Sequence, residues 1–142
     1  MEVYRIEKRP WGLWLSFSGR MTESEVRAWL DESRAVLRDI ERPFAVVADM
    51  RGLSPLLPEV QLLLVEGQRL YRDHGLDRSA VLFRGPIAIR QFRRIAGKSG
   101  IREGERYIDA RRPDAEERAL AWARDGIEPG DPPGPSWSSP LP

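Results

Sequence analysis

Apolar positions along this chain recur first with a period of two and later mostly with steps of three and four. In residues 3–8, Val3, Arg5 and Glu7 alternate with Tyr4, Ile6 and Lys8, the pattern of an edge strand. Arg9-Pro10-Trp11-Gly12 supplies turn residues. Leu13, Leu15 and Phe17 then point one way while Trp14, Ser16 and Ser18 point the other. A β-hairpin is expected, with Trp14 either in the core or, if the hairpin lies at an edge, an exposed anchor.

A helix start follows. Thr22-Glu23-Ser24-Glu25 fits a capping box, and Met21 and Val26 are spaced for a hydrophobic staple. The stripe Val26, Trp29, Leu30, Ser33, Leu37 and Ile40 predicts a first helix over residues 22–39. The run 44–48 is continuously apolar, which suits a central strand covered on both faces; it ends in Asp49. Pro58 can open a second helix, and Gly75 can stop it after His74. Val60, Leu63, Leu64, Gly67, Leu70 and Tyr71 form its buried stripe. Leu62 and Val65 fall outside that stripe, which points to a second contact surface for a dimer or another partner. A helix buried on two sides is the plainer alternative.

Residues 80–83 read as the next strand, and 86–98 as a third helix with Ile89, Phe92, Ile95 and Ala96 on its apolar side. Tyr107-Ile108-Asp109 marks a short last strand. A fourth helix runs from Pro113-Asp114 to Gly126, with Ala115, Ala119, Trp122 and Ala123 inward. Residues 128–142 hold six prolines, with Trp137 and Leu141 as the large apolar residues, and read as a disordered or polyproline-like tail. The order is β-β-α-β-α-β-α-β-α: an α/β sandwich over residues 1–127, with a mixed sheet and helices packed on it.

At 142 residues, one domain is expected. Cysteine is absent, which excludes disulfides, thiolate metal sites and cysteine nucleophiles from this sequence. The charged opening residues are unlike a signal peptide, and no apolar run approaches the ~18 residues that would span a bilayer. A cytoplasmic protein is therefore expected. The net charge of +1 provides no global field for nucleic acid. Arg outnumbers Lys 21 to 2, which a GC-rich coding bias explains without function.

Catalytic signals are sparse. Gly97-Lys98-Ser99 lacks the earlier glycine of a phosphate loop, since Phe92 stands there, and it follows a helix rather than a strand. His74 is the single histidine and sits at a helix end, where capping is the default role. Asp49 and Asp109 both end strands, where an acid–base pair is conceivable and turn formation is commoner. One histidine and no cysteine leave no metal site, and no cofactor is expected.

The clearest local signal is charge. From Arg84 to Arg102 there are six basic residues and no acidic one, with Arg90, Arg93, Arg94 and Lys98 on one helix. Arg84-Gly85-Pro86 also places an arginine at a helix N-terminus, where free amides favour anions. An acidic protein surface or another anion is the expected partner, against the plainer reading of a solvated face. Nucleic acid is not, because no aromatic residues are interleaved there.

The segment 12–22 (Gly-Leu-Trp-Leu-Ser-Phe-Ser-Gly-Arg-Met-Thr), the strand end Val46-Val47-Ala48-Asp49-Met50-Arg51-Gly52-Leu53 and the closing Glu117-Arg118-Ala119-Leu120-Ala121-Trp122 together resemble the STAS superfamily, the fold of bacterial anti-sigma-factor antagonists. The closing helix is similar to that of STAS-like proteins grouped with lipid-binding CRAL-TRIO domains. The resemblance implies a STAS-like α/β sandwich over residues 3–127 and a non-enzymatic regulatory module. In the antagonists, Asp-Ser-Ser-Gly opens the helix after this strand and one serine is phosphorylated. Here Leu57-Pro58-Glu59-Val60 stands in that place, and Ser54 lies in the loop before it. A partner surface is thus expected from Asp49, Arg51, Ser54, Arg84, Arg90, Arg93, Arg94 and Lys98. The alternative is a carrier or sensor of a small apolar or lipid ligand held between the second and third helices and the sheet. A hydrolase built on Asp49 and His74 is the remotest reading.

Overall fold

The computed structural model describes residues 3–130. In chain order its elements are β1 (Tyr4–Arg9), β2 (Gly12–Gly19), α1 (Glu23–Arg38), β3 (Phe44–Leu53), α2 (Pro58–Asp73), β4 (Leu76–Phe83), α3 (Pro86–Ser99), a 3-10 turn (Arg102–Gly104), β5 (Glu105–Asp109) and α4 (Ala115–Asp125). The expected order holds throughout.

The five strands lie in chain order across one sheet. β1 and β2 pair antiparallel, because the short turn between Arg9 and Gly12 can only reverse the chain. Every later strand is preceded by a helix that carries the chain back across the sheet, so β2 to β5 run parallel. The C-terminal ends of β2–β5 therefore share one edge, and each of the four helices starts there.

The alternation along each strand sorts the core into two layers. Leu13, Leu15, Phe17, Val46, Ala48 and Val81 face α1, α2 and α3. Trp14, Ala45, Val47, Ala80, Leu82 and Ile108 face α4. The uninterrupted apolar run of β3 follows from this, since both its faces are covered. Trp14 is core, with the Arg9 guanidinium 5.3 Å above its ring.

The capping box at α1 is present: the Glu25 amide donates to Thr22 Oγ1 at 3.3 Å, and the Thr22 amide donates to Glu25 Oε1 at 2.8 Å. Trp29 of α1 is the hub of the larger core. It packs edge-on against Phe17 at 5.4 Å and stacks on Tyr71 at 5.5 Å. Gly67 makes room for it, because a Cβ there would collide with the far edge of the indole ring. α4 is held by Trp122, whose indole N–H donates to the Ser79 carbonyl at 3.0 Å, and by Arg78, whose Nε donates to the Trp122 carbonyl at 2.9 Å near the helix end.

Three strands are longer than their apolar runs predict. β3 continues through Leu53, β4 begins at Leu76 and β5 begins at Glu105. Pairing sets these ends: Gly52 and Leu53 register with Ser18 and Gly19, and Ser79 registers with Glu105. Residues 128–130, read as the start of the tail, lie against the domain. Arg106 pairs with Glu128 at 2.7 Å, and Arg112 donates to the Gly130 carbonyl at 2.8 Å. The rest of the tail, 131–142 with Trp137 and Leu141, lies outside the described residues.

Candidate functional site

The residues expected to form a partner surface fall into two groups that differ in how their charges are used. At the common strand edge, Asp49 and Arg51 satisfy each other. Arg51 Nε donates to Asp49 Oδ1 at 2.9 Å and Nη2 to Oδ2 at 2.7 Å, while the Arg51 amide donates to the same carboxylate. The remaining arm reaches Glu116 of α4 at 3.0 Å. Partial burial pushes the Asp49 carboxyl up, but the bonds from Arg51 outweigh it and hold the group below the usual aspartate value, helped by the charge of Arg84.

The same local device recurs at the end of β5. Asp109 accepts the Arg111 amide at 2.9 Å and its guanidinium at 2.7 Å. Burial pushes Asp109 up, and the Arg111 bonds again win and hold it low. Two aspartates locked as anions by their own arginines cannot share a proton, so the acid–base pair read from the sequence is not built. Asp49 also registers with Leu82 while Asp109 registers with Phe83, which puts them on opposite faces of the sheet.

The hydrolase reading fails on position. His74 caps the lower end of α2, with Nδ1 2.8 Å from the Leu70 carbonyl oxygen. Asp49 lies in the C-terminal half of β3, toward the opposite edge of the sheet. Ser54 is half-buried, and its amide donates to the Gly19 carbonyl at 3.0 Å. Arg84 is exposed just before Gly85, the N-cap of α3. Pro86 in the first turn of α3 removes one of the amides that an anion would use.

The second group lies on α3. Arg90, Arg93, Arg94 and Lys98 are all exposed. Arg93 leans over the Tyr107 ring at 5.2 Å and is partly committed to the fold. Among the described residues, the side chains of Arg90, Arg94 and Lys98 enter no ion pair. That contrasts with the strand edge, where each aspartate has its arginine.

A groove of about 230 Å³ runs between α2 and α3, lined by Pro58, Leu62, Val65, Arg94, Ile95 and Lys98. Leu62 and Val65 do not form one outward surface as expected. Leu62 is 63% exposed, whereas Val65 is 6% exposed and belongs to the core. The α2 stripe seen in the sequence faces the sheet and α1; Val65 lies on the flank that α3 covers. Three of the four exposed large apolar side chains among the described residues belong to this helix pair: Leu57 at the start of α2, Leu62 and Ile87.

The helix pair is fastened at both ends. Near the strand edge, Gln91 of α3 accepts from the Leu56 amide at 2.9 Å and donates to its carbonyl at 3.2 Å, and Gln61 of α2 donates to the same carbonyl at 3.0 Å. At the other end, Arg69 and Arg72 of α2 donate to the carbonyls of Lys98 and Ser99 at 3.0 and 2.8 Å. These bonds satisfy terminal carbonyls that α3 leaves open and fix the helix spacing.

Beneath α2 and α3 lies a small cavity of about 60 Å³, bordered by Phe17, Trp29, Tyr71, Ile95 and Glu105 among others. Pockets that hold small ligands are usually ~300–1,000 Å³. Among the described residues, the buried Trp29 indole N–H has no hydrogen-bond acceptor. Glu105 is also buried and was missed in the sequence. Its carboxyl receives the Tyr107 hydroxyl at 2.6 Å and the Ser79 hydroxyl at 3.0 Å. Burial pushes it up to about 7, against those two bonds, which pull it down. The signal was the alternation Glu105, Tyr107, Asp109 around Ile108, which extends the strand by two residues.

A further surface depression, about 500 Å³, is at the opposite sheet edge near Trp11, Ile40 and Pro43. It mixes charges of both signs and gathers none of the expected site residues. Among the described residues, no cluster of His, Asp and Glu could hold a metal ion, and no helix is long and apolar enough to cross a membrane.

No protein-family model and no curated protein matches the chain. Solved structures do. An uncharacterized protein of the DUF3478 family with a SpoIIAA-like fold, from Shewanella loihica PV-4, is similar at TM-score 0.61 and 16% identity, over 84% of this chain and 91% of that one. An anti-sigma factor antagonist from Mycobacterium paratuberculosis is similar at TM-score 0.55 and 22% identity, over 86% and 93%. The fold is thus SpoIIAA-like, of the STAS type, as the sequence resemblance implied.

Proposed function

We propose that this chain is a non-enzymatic, STAS-type protein-interaction module that binds an acidic partner surface through α2, the loop after β3 and α3. The observation that carries the reading is the stripe of Arg90, Arg94 and Lys98, which is exposed and without ion pairs among the described residues while the strand-edge aspartates are neutralised internally. Exposed cations on one helix face raise association rates with anionic surfaces. One structural neighbour is an anti-sigma factor antagonist, a description compatible with partner binding on this fold.

Binding would be constitutive. The helix after β3 begins Leu57-Pro58-Glu59, with no hydroxyl at its N-terminus to carry a phosphate. The 60 Å³ cavity weighs against the carrier alternative, whose ligand would need several times that space.

The test is the variant Arg90→Glu/Arg94→Glu/Lys98→Glu. Arg93 is left in place because it stacks on Tyr107. Proteins captured by the wild type are identified, purified and titrated directly against both forms. Binding by the wild type should weaken with added salt, and the variant should bind at least tenfold more weakly with less salt dependence. Equal affinities would refute the reading.

A further inference from the structure

The groove between α2 and α3 has a shape and a charge pattern that define its occupant more narrowly than "acidic partner". Its floor is apolar, from Val65 and Ile95, and Leu62 stands up from one wall. The other wall carries Arg94 and Lys98. Among the described residues, no carboxylate lines it. Glu66 of α2 pairs with Arg34 of α1 at 3.7 Å.

Arg90, Arg94 and Lys98 follow one another at intervals of four residues. With a rise of about 1.5 Å per residue, their attachment points are spaced about 6 Å apart along α3. Carboxylates placed one helical turn apart on an opposing helix repeat at about the same interval.

The groove is also preformed. Gln61 and Gln91 fasten one end through Leu56, and Arg69 and Arg72 fasten the other through the last carbonyls of α3. A partner need not open it, so little ordering cost falls on this side.

A second copy of the chain is a poor occupant. A two-fold contact centred on α3 would bring the stripe of Arg90, Arg94 and Lys98 against the same stripe of the other copy, and like charges across an interface oppose binding. We infer that the α2–α3 groove receives an acidic amphipathic helix, which seats a large apolar residue against Leu62 and the Val65–Ile95 floor while carboxylates one turn apart meet Arg90, Arg94 and Lys98. This rests on the interaction-module reading and names the partner segment it requires.

The probe is a fluorescent helical peptide of about 16 residues, with Glu at every fourth position on one stripe and Leu on the adjacent stripe. Two controls accompany it: a scrambled peptide of the same composition, and a peptide with Lys replacing Glu. Fluorescence anisotropy with the full chain should show saturable binding of the acidic peptide and at least tenfold weaker binding of both controls. Leu62→Asp should cost at least tenfold, and so should Arg94→Glu/Lys98→Glu. All three sites are on the surface, and unchanged circular dichroism would show that the variants fold.

Equal binding of the scrambled peptide, or no effect of Leu62→Asp, would reduce the face to nonspecific charge and overturn the inference. So would a concentration-dependent dimer that Leu62→Asp abolishes. If no peptide binds while the triple charge reversal still abolishes a purified protein partner, the helix-in-groove inference fails and the interaction module survives.

Discussion

Glu105→Gln should make the protein more stable at pH 8 and leave it nearly unchanged at pH 4.5. The carboxyl is buried in β5 with two hydroxyl donors and no ion pair, and its value rises from 4.5 to about 7 because burial disfavours the anion. Below pH 4.5 the folded and unfolded chains both hold the proton, so the group costs nothing through ionisation. Between 4.5 and about 7 the unfolded chain releases a proton that the folded chain keeps, and stability falls as pH rises, by up to about 1.4 kcal/mol per unit. Above 7 both states are ionised and the loss is complete, at about 3 kcal/mol. Glutamine occupies the same space, accepts one hydroxyl and cannot ionise. Urea unfolding of wild type and variant from pH 4.5 to 8.5 reads the difference directly. The curves should meet near 4.5 and diverge to a variant advantage of about 3 kcal/mol at pH 8, roughly 10 °C in Tm. A pH-independent difference, or a variant less stable at pH 8, would refute the reasoning.

Four further outcomes follow from the same contacts. Gly67→Ala should destabilise by about 1–3 kcal/mol in urea unfolding, because the added methyl meets the Trp29 ring and outweighs the gain in helix propensity. Arg78→Ala should cost about 1–2 kcal/mol and raise hydrogen exchange chiefly in the last turn of α4, whose carbonyls Arg78 holds. Thr22→Ala should cost about 1 kcal/mol through loss of the α1 cap, visible as a lower denaturation midpoint. Asp49→Asn should flatten the acid limb of stability: a depressed carboxyl stabilises above its unfolded value of 3.8, and that contribution disappears as pH falls through the folded value.

Element order was legible because each helix carries its own punctuation. Thr22 and Glu25 mark one start, Pro58 and Pro86 mark two more, and Gly100 and Gly126 close α3 and α4 in left-handed conformations. Strand ends were not legible from the apolar runs alone, because Gly52, Leu53 and Glu105 are strand residues by virtue of neighbours distant in sequence. The charged stripe of α3 could be read from spacing alone. Which charges were already paired could not. Arg51 and Lys98 look alike in sequence, yet one is closed on Asp49 and Glu116 while the other is open. The Asp-x-Arg spacing at Asp49 and Asp109 was the available clue. Val65 fits the alternative of a helix buried on two sides, because a single stripe describes one buried flank and α2 has two.

Site-specific photo-crosslinking in the native cell tests the central claim most directly. A photoreactive residue is placed at Leu62 or Arg94, with Trp11 as the control position at the opposite sheet edge. The account predicts covalent adducts to a different protein from positions 62 and 94, lost when the remaining α3 cations are reversed, with no such adduct from position 11. Adducts from position 11 alone, or only adducts between two copies of this chain, would contradict it.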